Sequence, residues 1–341
     1  MKQFFKDNYK VILFLMLGLV ILFFVTRGQD LDKVWDEFAK ANYWWIILSA
    51  GISLFSHFIR ALRWRLLIQQ LDYNPSVSRV FYSLMTGYLA NLFLPRIGEL
   101  SRCIALRRTD KVPFNELVGT VIAERLFDVI TVMVLIGTVT ILQFSLLKSY
   151  LFKYILNPLF AMVENNYILL IVLIVGGLFV FVASVFIIKN KFRKSSSDSY
   201  VGKSKKQLLG VHNGVLSIIK MKKKWLFLFY TVLLWTLYLF MVYTAFFAIS
   251  SMGHLDIYAA LAILALGTIG IAVPVPGGIG TYHFVVITCL TELYAISVEP
   301  ATSFAYISHA SQMLIVIMAG GFAWFKLAMK KSELANNGLI N

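Results

Sequence analysis

Charged side chains set into long apolar runs are where this sequence has the means to do chemistry. The stretch SHFIRALRWRLL carries His57, Arg60, Arg63 and Arg65. At i,i+3 spacing Arg60 and Arg63 share a helix face, while Arg65 points elsewhere. Two guanidiniums on one face suit a bidentate grip on a lipid phosphate; the plainer reading is an interfacial anchor with snorkelling side chains. In NLFLPRIGELSR, Pro95 and Gly98 free backbone groups and Asn91, Arg96, Glu99 and Arg102 gather at a break in an apolar element. Charges there must pair or face water, so a head-group or gating role is expected, with a structural Arg96–Glu99 pair as the alternative.

A third group is Glu124-Arg125-Leu126-Phe127-Asp128. Glu124 and Asp128 are one turn apart, and counting from Leu117 puts Asp128 roughly 16 Å along its helix, near mid-membrane. An intramembrane carboxylate is a functional candidate, with Arg125 or an arginine of the preceding hairpin as partner. A structural buried pair and a coupling-proton site are the alternatives. The fourth group is PVPGGIGTYHF, in which Gly277, Gly278 and Gly280 permit positive φ and close approach. Amides exposed at such a break, with the helix N-terminus that follows, can meet an anion. His283 either contacts a head group or is a satisfied helix residue; His212 and His309 read as structural or solvent-facing. The stretch matches neither a Walker A loop nor a GxGxxG turn after a strand.

The elements that position these residues are membrane helices. Of 341 residues, 59% are hydrophobic and only 14% charged, against about 25% charged in a soluble domain. The charges collect between apolar runs, as expected where lipid forces every backbone group to be satisfied within the helix. The net charge of +15 marks cytoplasmic loops and anionic lipid contacts, not nucleic acid, because no basic-aromatic module accompanies it. Cys103 and Cys289 sit alone in apolar segments, so neither a disulfide framework nor a zinc site is expected. No serine–base pair, metal cluster or nucleotide loop is visible. The chain therefore reads as a non-enzyme without catalytic residues, cofactor or metal.

The fold class is all-α: a polytopic bundle of about six full spans plus two re-entrant hairpins. Spans are expected over about 10–26, from Tyr43 to the arginines at 60–65, and over 117–146, 167–188, 225–249 and 303–325. The first is an uncleaved span, because Thr26-Arg27-Gly28-Gln29 offers no small-x-small cleavage site. The segment 81–111 reads as a hairpin entered from the cytoplasm. The segment 257–296 reads as one entered from outside, or as two thin full spans. The basic stretch 189–224 is a cytoplasmic loop with a flexible Ser195-Ser196-Ser197 start, and both termini lie inside. The order span, span, hairpin, span then recurs upside down. This describes one domain over 1–341 with inverted repeat halves of about 1–146 and 165–325, an arrangement many transporters share.

RALRW at 60–64, NLFLPRIGELSR at 91–102, ERLFD at 124–128 and PVPGGIG at 274–280 resemble the transmembrane region of lysylphosphatidylglycerol synthases. That region also stands alone in a large family of flippase-like membrane proteins. The resemblance extends over nearly the whole chain and implies lipid translocation in the bacterial plasma membrane. The aminoacyl-transferring domain of the synthases is missing, so synthase activity is not implied. Family members often carry an Arg-Glu pair shortly after PGG-x-G, where this chain has Tyr282-His283. The expected function is movement of a phospholipid or other anionic lipid between leaflets, with membrane phospholipids or lipid-linked anions as partners. A homodimer or a lipid-synthesis enzyme are further candidate partners. The alternatives are a membrane-embedded enzyme acting on a lipid-linked substrate through Glu99, Glu124 and Asp128, or an accessory subunit of a lipid-modifying enzyme.

Overall fold

The computed structural model describes residues 20–144 and 221–336, Gly28 apart, with Met16, Gly18, Lys148 and Asn157 as single positions. The described residues are helical or in turns, with none in a strand. The chain runs through α1 (20–26), α2 (Leu31–Lys40), α3 (Tyr43–Gln69), α4 (Val77–Phe93), α5 (Gly98–Asp110) and α6 (Phe114–Leu142). It resumes with α7 (Lys224–Phe246), α8 (Ile257–Ala272), α9 (Thr281–Tyr294) and α10 (Val298–Asn336). Among the described residues four helices are long and apolar enough to cross a membrane: α3, α6, α7 and the Val298–Met329 part of α10. Most of the N-terminal part (10–19) of the span expected over about 10–26, the span expected over 167–188, nearly all of the 189–224 loop, and His212 lie outside the described residues.

Short polar residues start the helices. Asp30, Asn42 and Asp256 each accept a hydrogen bond from a backbone N–H two or three residues on, which satisfies one of the free donors of the first turn. The Lys33 amide on Asp30 holds that exposed carboxyl below the usual carboxylate range. At the other end, α5 and α9 stop on left-handed Lys111 and Ala295. Two boundaries differ from expectation. α6 begins at Phe114, directly after Pro113, because a proline before the first turn costs no intrahelical bond; the polar Asn115-Glu116 had hidden that turn. α10 likewise tolerates Pro300 in its first turn, and so outruns the expected 303–325 at both ends.

Two apolar cores lie at opposite ends of α3, α6 and α7. One joins Trp64, Leu67, Leu84, Leu106, Leu117, Val121 and Phe227, where α4 and α5 pack. The other joins Ile46, Val139, Val242, Phe246, Ile263, Leu290 and Phe304, where α8 and α9 pack. Buried Ser49, Ser53 and Ser56 let α3 run close to its neighbours, and Ser49 donates to the Met241 carbonyl of α7. The outer face of α6, with Ile130, Met133, Val134 and Ile141, is exposed, as a lipid-facing helix requires.

Each broken element folds back as a helical hairpin. The α4–α5 hairpin closes backbone to backbone. A Cβ on Gly87 would lie 2.6 Å from the Gly98 carbonyl oxygen and 3.1 Å from Arg102 Cβ. Positive φ in this turn falls on Arg96 (64°), not on Gly98, so Gly98 serves close packing and not backbone conformation. Nor is its amide left free, because the N–H of Gly98 donates to Asn91 Oδ1 at 2.7 Å. The α8–α9 hairpin is closed by Gly270, whose Cβ would meet the Thr281 carbonyl oxygen at 3.0 Å. The two turns touch. Arg96 donates to the Ala272 carbonyl at 3.3 Å, and Leu92 lies beside Gly277.

Replacing Gly87 with valine forces these backbones apart. Thermal unfolding of the purified protein in detergent is expected to show a loss of about 1–3 kcal/mol. An unchanged midpoint would contradict the close approach.

Candidate functional site

Between the two apolar cores the long helices carry ionisable side chains. Arg60 and Arg63 come from α3, Glu124 and Asp128 from α6, and Arg102 from α5; all five are buried. Glu124 stands about 15 Å along α6 from its start. The i,i+3 spacing on α3 and the i,i+4 spacing on α6 turn both pairs toward one another. Arg60 Nε donates to Glu124 Oε1 at 2.8 Å, and its Nη2 to Asp128 Oδ2 at 2.8 Å. Arg63 Nη2 is shared between Glu124 Oε1 at 3.1 Å and Asp128 Oδ1 at 2.7 Å. Arg65 points away, as expected, to the Pro75 carbonyl and Asn74.

Arg102 approaches the same carboxylate from the hairpin. Its Nη2 lies 2.9 Å from Glu124 Oε2. The contact is electrostatic only, because neither atom is aligned for a hydrogen bond, and Arg102 Nη1 has no partner either. The guanidinium stacks instead on Trp64, 4.5 Å from the ring centroid, while the indole N–H donates to Thr120. Arg125 faces outward, pairs with Glu99 on α5, and lies 3.9 Å from Asp128. Four guanidiniums (60, 63, 102, 125) thus meet three carboxylates (99, 124, 128), which leaves one positive charge uncompensated among the described residues.

Of the partners expected for these carboxylates, Arg125 stands 3.9 Å from Asp128 and the hairpin's Arg102 pairs with Glu124, while the close partners of Asp128 are Arg60 and Arg63 of α3. The Arg96–Glu99 pair does not form, because left-handed Arg96 turns toward Ala272 and leaves Glu99 to Arg125. Asn91 is committed to the Gly98 amide. A coupling proton finds no free oxygen on Asp128, and on Glu124 only Oε2, which faces Arg102. Protonating either group would strip a guanidinium of its acceptor inside the bundle. Residues that sequence reasoning passed over complete the shell. Thr231 accepts from Arg63, Tyr238 accepts from Arg60, and Tyr88 lies under Arg60. In an apolar run they have the spacing of ordinary core residues, so no signal sets them apart.

The glycine stretch does not present the anion cradle that its composition suggested. Gly277, Gly278 and Gly280 have φ of 60°, 73° and 84°. The N–H of Gly278 donates to Val275, that of Ile279 to Pro276, and that of Gly280 to His283 Nδ1. His309 Nε2 lies 2.9 Å from the Gly277 carbonyl oxygen. His283, Tyr282, Tyr306 and His309 pack ring against ring around the turn. His283 is thus a satisfied helix-capping residue, and these amides are turned inward.

Beside the charge cluster, α5 and α6 frame a groove of about 460 Å³. Arg96, Glu99 and Arg125 stand among its apolar residues Leu100, Ile122, Leu126 and Val129.

Replacing Glu124 with glutamine leaves Arg60, Arg63 and Arg102 facing one another without their shared anion. The loss of folding stability is expected to be about 3–5 kcal/mol, read by thermal unfolding in detergent. A wild-type melting midpoint would mean that the cluster contributes nothing to the fold.

No curated protein and no solved structure matches this chain. The family profile described as "Lysylphosphatidylglycerol synthase TM region" matches residues 11–320. That match contains all four motifs and every residue of the charge cluster. The chain is a multi-pass membrane protein and belongs to the family of the lysylphosphatidylglycerol synthase transmembrane region.

Proposed function

We propose that this protein moves a phospholipid or other anionic lipid between the leaflets of a bacterial plasma membrane. The observation that carries the reading is the uncompensated positive charge buried where a broken hairpin meets the long helices. An ionisable cluster at membrane depth is costly unless a charged ligand uses it. Guanidiniums favour phosphate oxygens, which they hold through paired N–H groups. The contact between the two hairpin turns supports a pathway that passes between them. In this reading six full spans and two re-entrant hairpins form inverted halves, with both termini and the 189–224 loop cytoplasmic. The protein acts as a translocator and not as an enzyme, on membrane phospholipids or lipid-linked anions.

Purified protein in liposomes with a fluorescent phospholipid is expected to speed leaflet exchange, read by quenching from outside. Arg102→Gln removes the guanidinium that faces Glu124 without a hydrogen bond and is expected to slow exchange by about tenfold, with some loss of melting midpoint because Glu124 loses an ion-pair partner. Exchange no faster than in protein-free liposomes would remove the translocation reading. Chemically altered lipid would favour a membrane-embedded enzyme instead. For topology, Asn74→Cys is expected to react with an impermeant maleimide only from the cytoplasmic side, and His254→Cys only from the outside. The reverse pattern would overturn the orientation; the native Cys103 and Cys289 are buried and should stay silent.

A further inference from the structure

The groove between α5 and α6 has the composition of a binding site for an amphiphile. Its wall residues Leu100, Ile122, Leu126 and Val129 are 40–51% exposed on the face of a membrane-spanning helix and its neighbour. Arg96 and Arg125 supply two cations in the same groove. An acyl chain against the apolar wall with an anion on the arginines satisfies both halves at once.

One group stands in the way. Glu99 already occupies Arg125 through Oε1, while its second oxygen, Oε2, has no hydrogen-bond partner. One turn further along α5, Arg102 carries Nη1 and Nη2, which also lack hydrogen-bond partners. The unsatisfied acceptor and the unsatisfied donors are three residues apart on one helix, a spacing at which side chains meet. Nη2 already faces Glu124 Oε2 at 2.9 Å as an ion pair, so Nη1 is the donor left for Glu99 Oε2, and unpaired polar atoms of this kind are costly. Glu99 therefore has two arginines within reach and holds only one.

We propose that this groove is a lateral docking site for a lipid phosphodiester, and that Glu99 is an internal competitor which the phosphate displaces from Arg125. The phosphate takes Arg125, with Arg96 beside it, and the lipid chain lies along Leu100, Ile122 and Leu126. Glu99, released, turns to Arg102. With Arg96 the guanidiniums exceed the carboxylates by two, so the single negative charge of a diester is taken up without any excess of negative charge. No covalent bond changes; the step is an exchange of ion pairs.

This inference rests on the lipid-handling reading, but the two fail separately, because binding is measured in detergent and translocation in liposomes. The probe is a fluorescent short-chain phosphatidylmethanol, a phosphodiester with no further head group, titrated into the full chain. Glu99→Gln removes the competitor and is expected to tighten binding by about three- to tenfold, and Arg125→Gln to weaken it by about tenfold. The double variant is expected to bind no tighter than Arg125→Gln alone, because without Arg125 there is nothing to compete for. Arg125→Lys keeps the charge and is expected to retain part of the affinity. Uncharged dihexanoylglycerol and tail-less dimethyl phosphate are expected to compete poorly, which separates a lipid site from a plain anion site. Glu99→Ala is read in the same way and stands in should Glu99→Gln fold poorly. Weaker or unchanged binding in both Glu99 variants, at an unchanged melting midpoint, would overturn the proposal. So would dimethyl phosphate competing as well as the lipid. Wild-type exchange in liposomes without this binding pattern would overturn the docking site and leave translocation standing.

Discussion

A guanidinium within a membrane bundle is tolerated only where carboxylates meet it, and that constraint organises this protein. Arg60 and Arg63 on α3 share Glu124 and Asp128 on α6 through four hydrogen bonds. Such a lattice has little slack. Sliding α3 by one turn along α6 would carry both arginines past their acceptors, and rotating it would turn them toward lipid. The pairing therefore sets the relative height and rotation of two long helices that apolar packing alone would leave free to slip. The apolar cores above and below then fill in around a level already chosen, as the position of the cluster between Trp64 and Ile46 along α3 illustrates.

The hairpin α4–α5 follows from the same constraint. Arg102 must reach Glu124 from a chain that enters and leaves on one side, so the element has to turn back part-way. Four residues make that turn, Arg96 takes the left-handed position, and Asn91 closes the amide of Gly98. The second hairpin solves the geometric problem without charge. Its glycines curl the backbone, His283 and His309 tie off its polar groups, and aromatic rings fill the space between. The two broken elements are therefore alike in shape and unlike in chemistry. In the proposed reading, the side chains that would meet an anion lie on the first.

Much of the arrangement was legible in the sequence, and its limits are instructive. Spacing within one helix is a local property, so the shared face of Arg60 and Arg63 and the turn between Glu124 and Asp128 could be read directly. Pairing between helices is not local. Nothing in the spacing says that α3 supplies the partners of Asp128, or that Glu99 prefers Arg125 to the nearer Arg96. Glycine was ambiguous for the same reason. Gly277, Gly278 and Gly280 were legible as backbone-permissive positions, whereas Gly98 is required by the carbonyl of Gly87, a neighbour eleven positions away in sequence. Thr231, Tyr238 and Trp64 were invisible as site residues because a side chain that supports a buried charge has the same spacing as one that fills a core.

The contact between the hairpin turns has a mechanical consequence. Within α4–α5, and again within α8–α9, backbone lies against backbone, so neither pair can open without losing contacts along its length. Across the turns the junction is a hydrogen bond of 3.3 Å from a flexible arginine to a carbonyl, with a leucine resting beside a glycine. Cleavage planes in a solid run where cohesion is low, and the junction between the two tips is held by a single described hydrogen bond and an apolar contact. Each hairpin would then travel as a block, and a parting of the tips would open a seam next to the arginines without bending either hairpin.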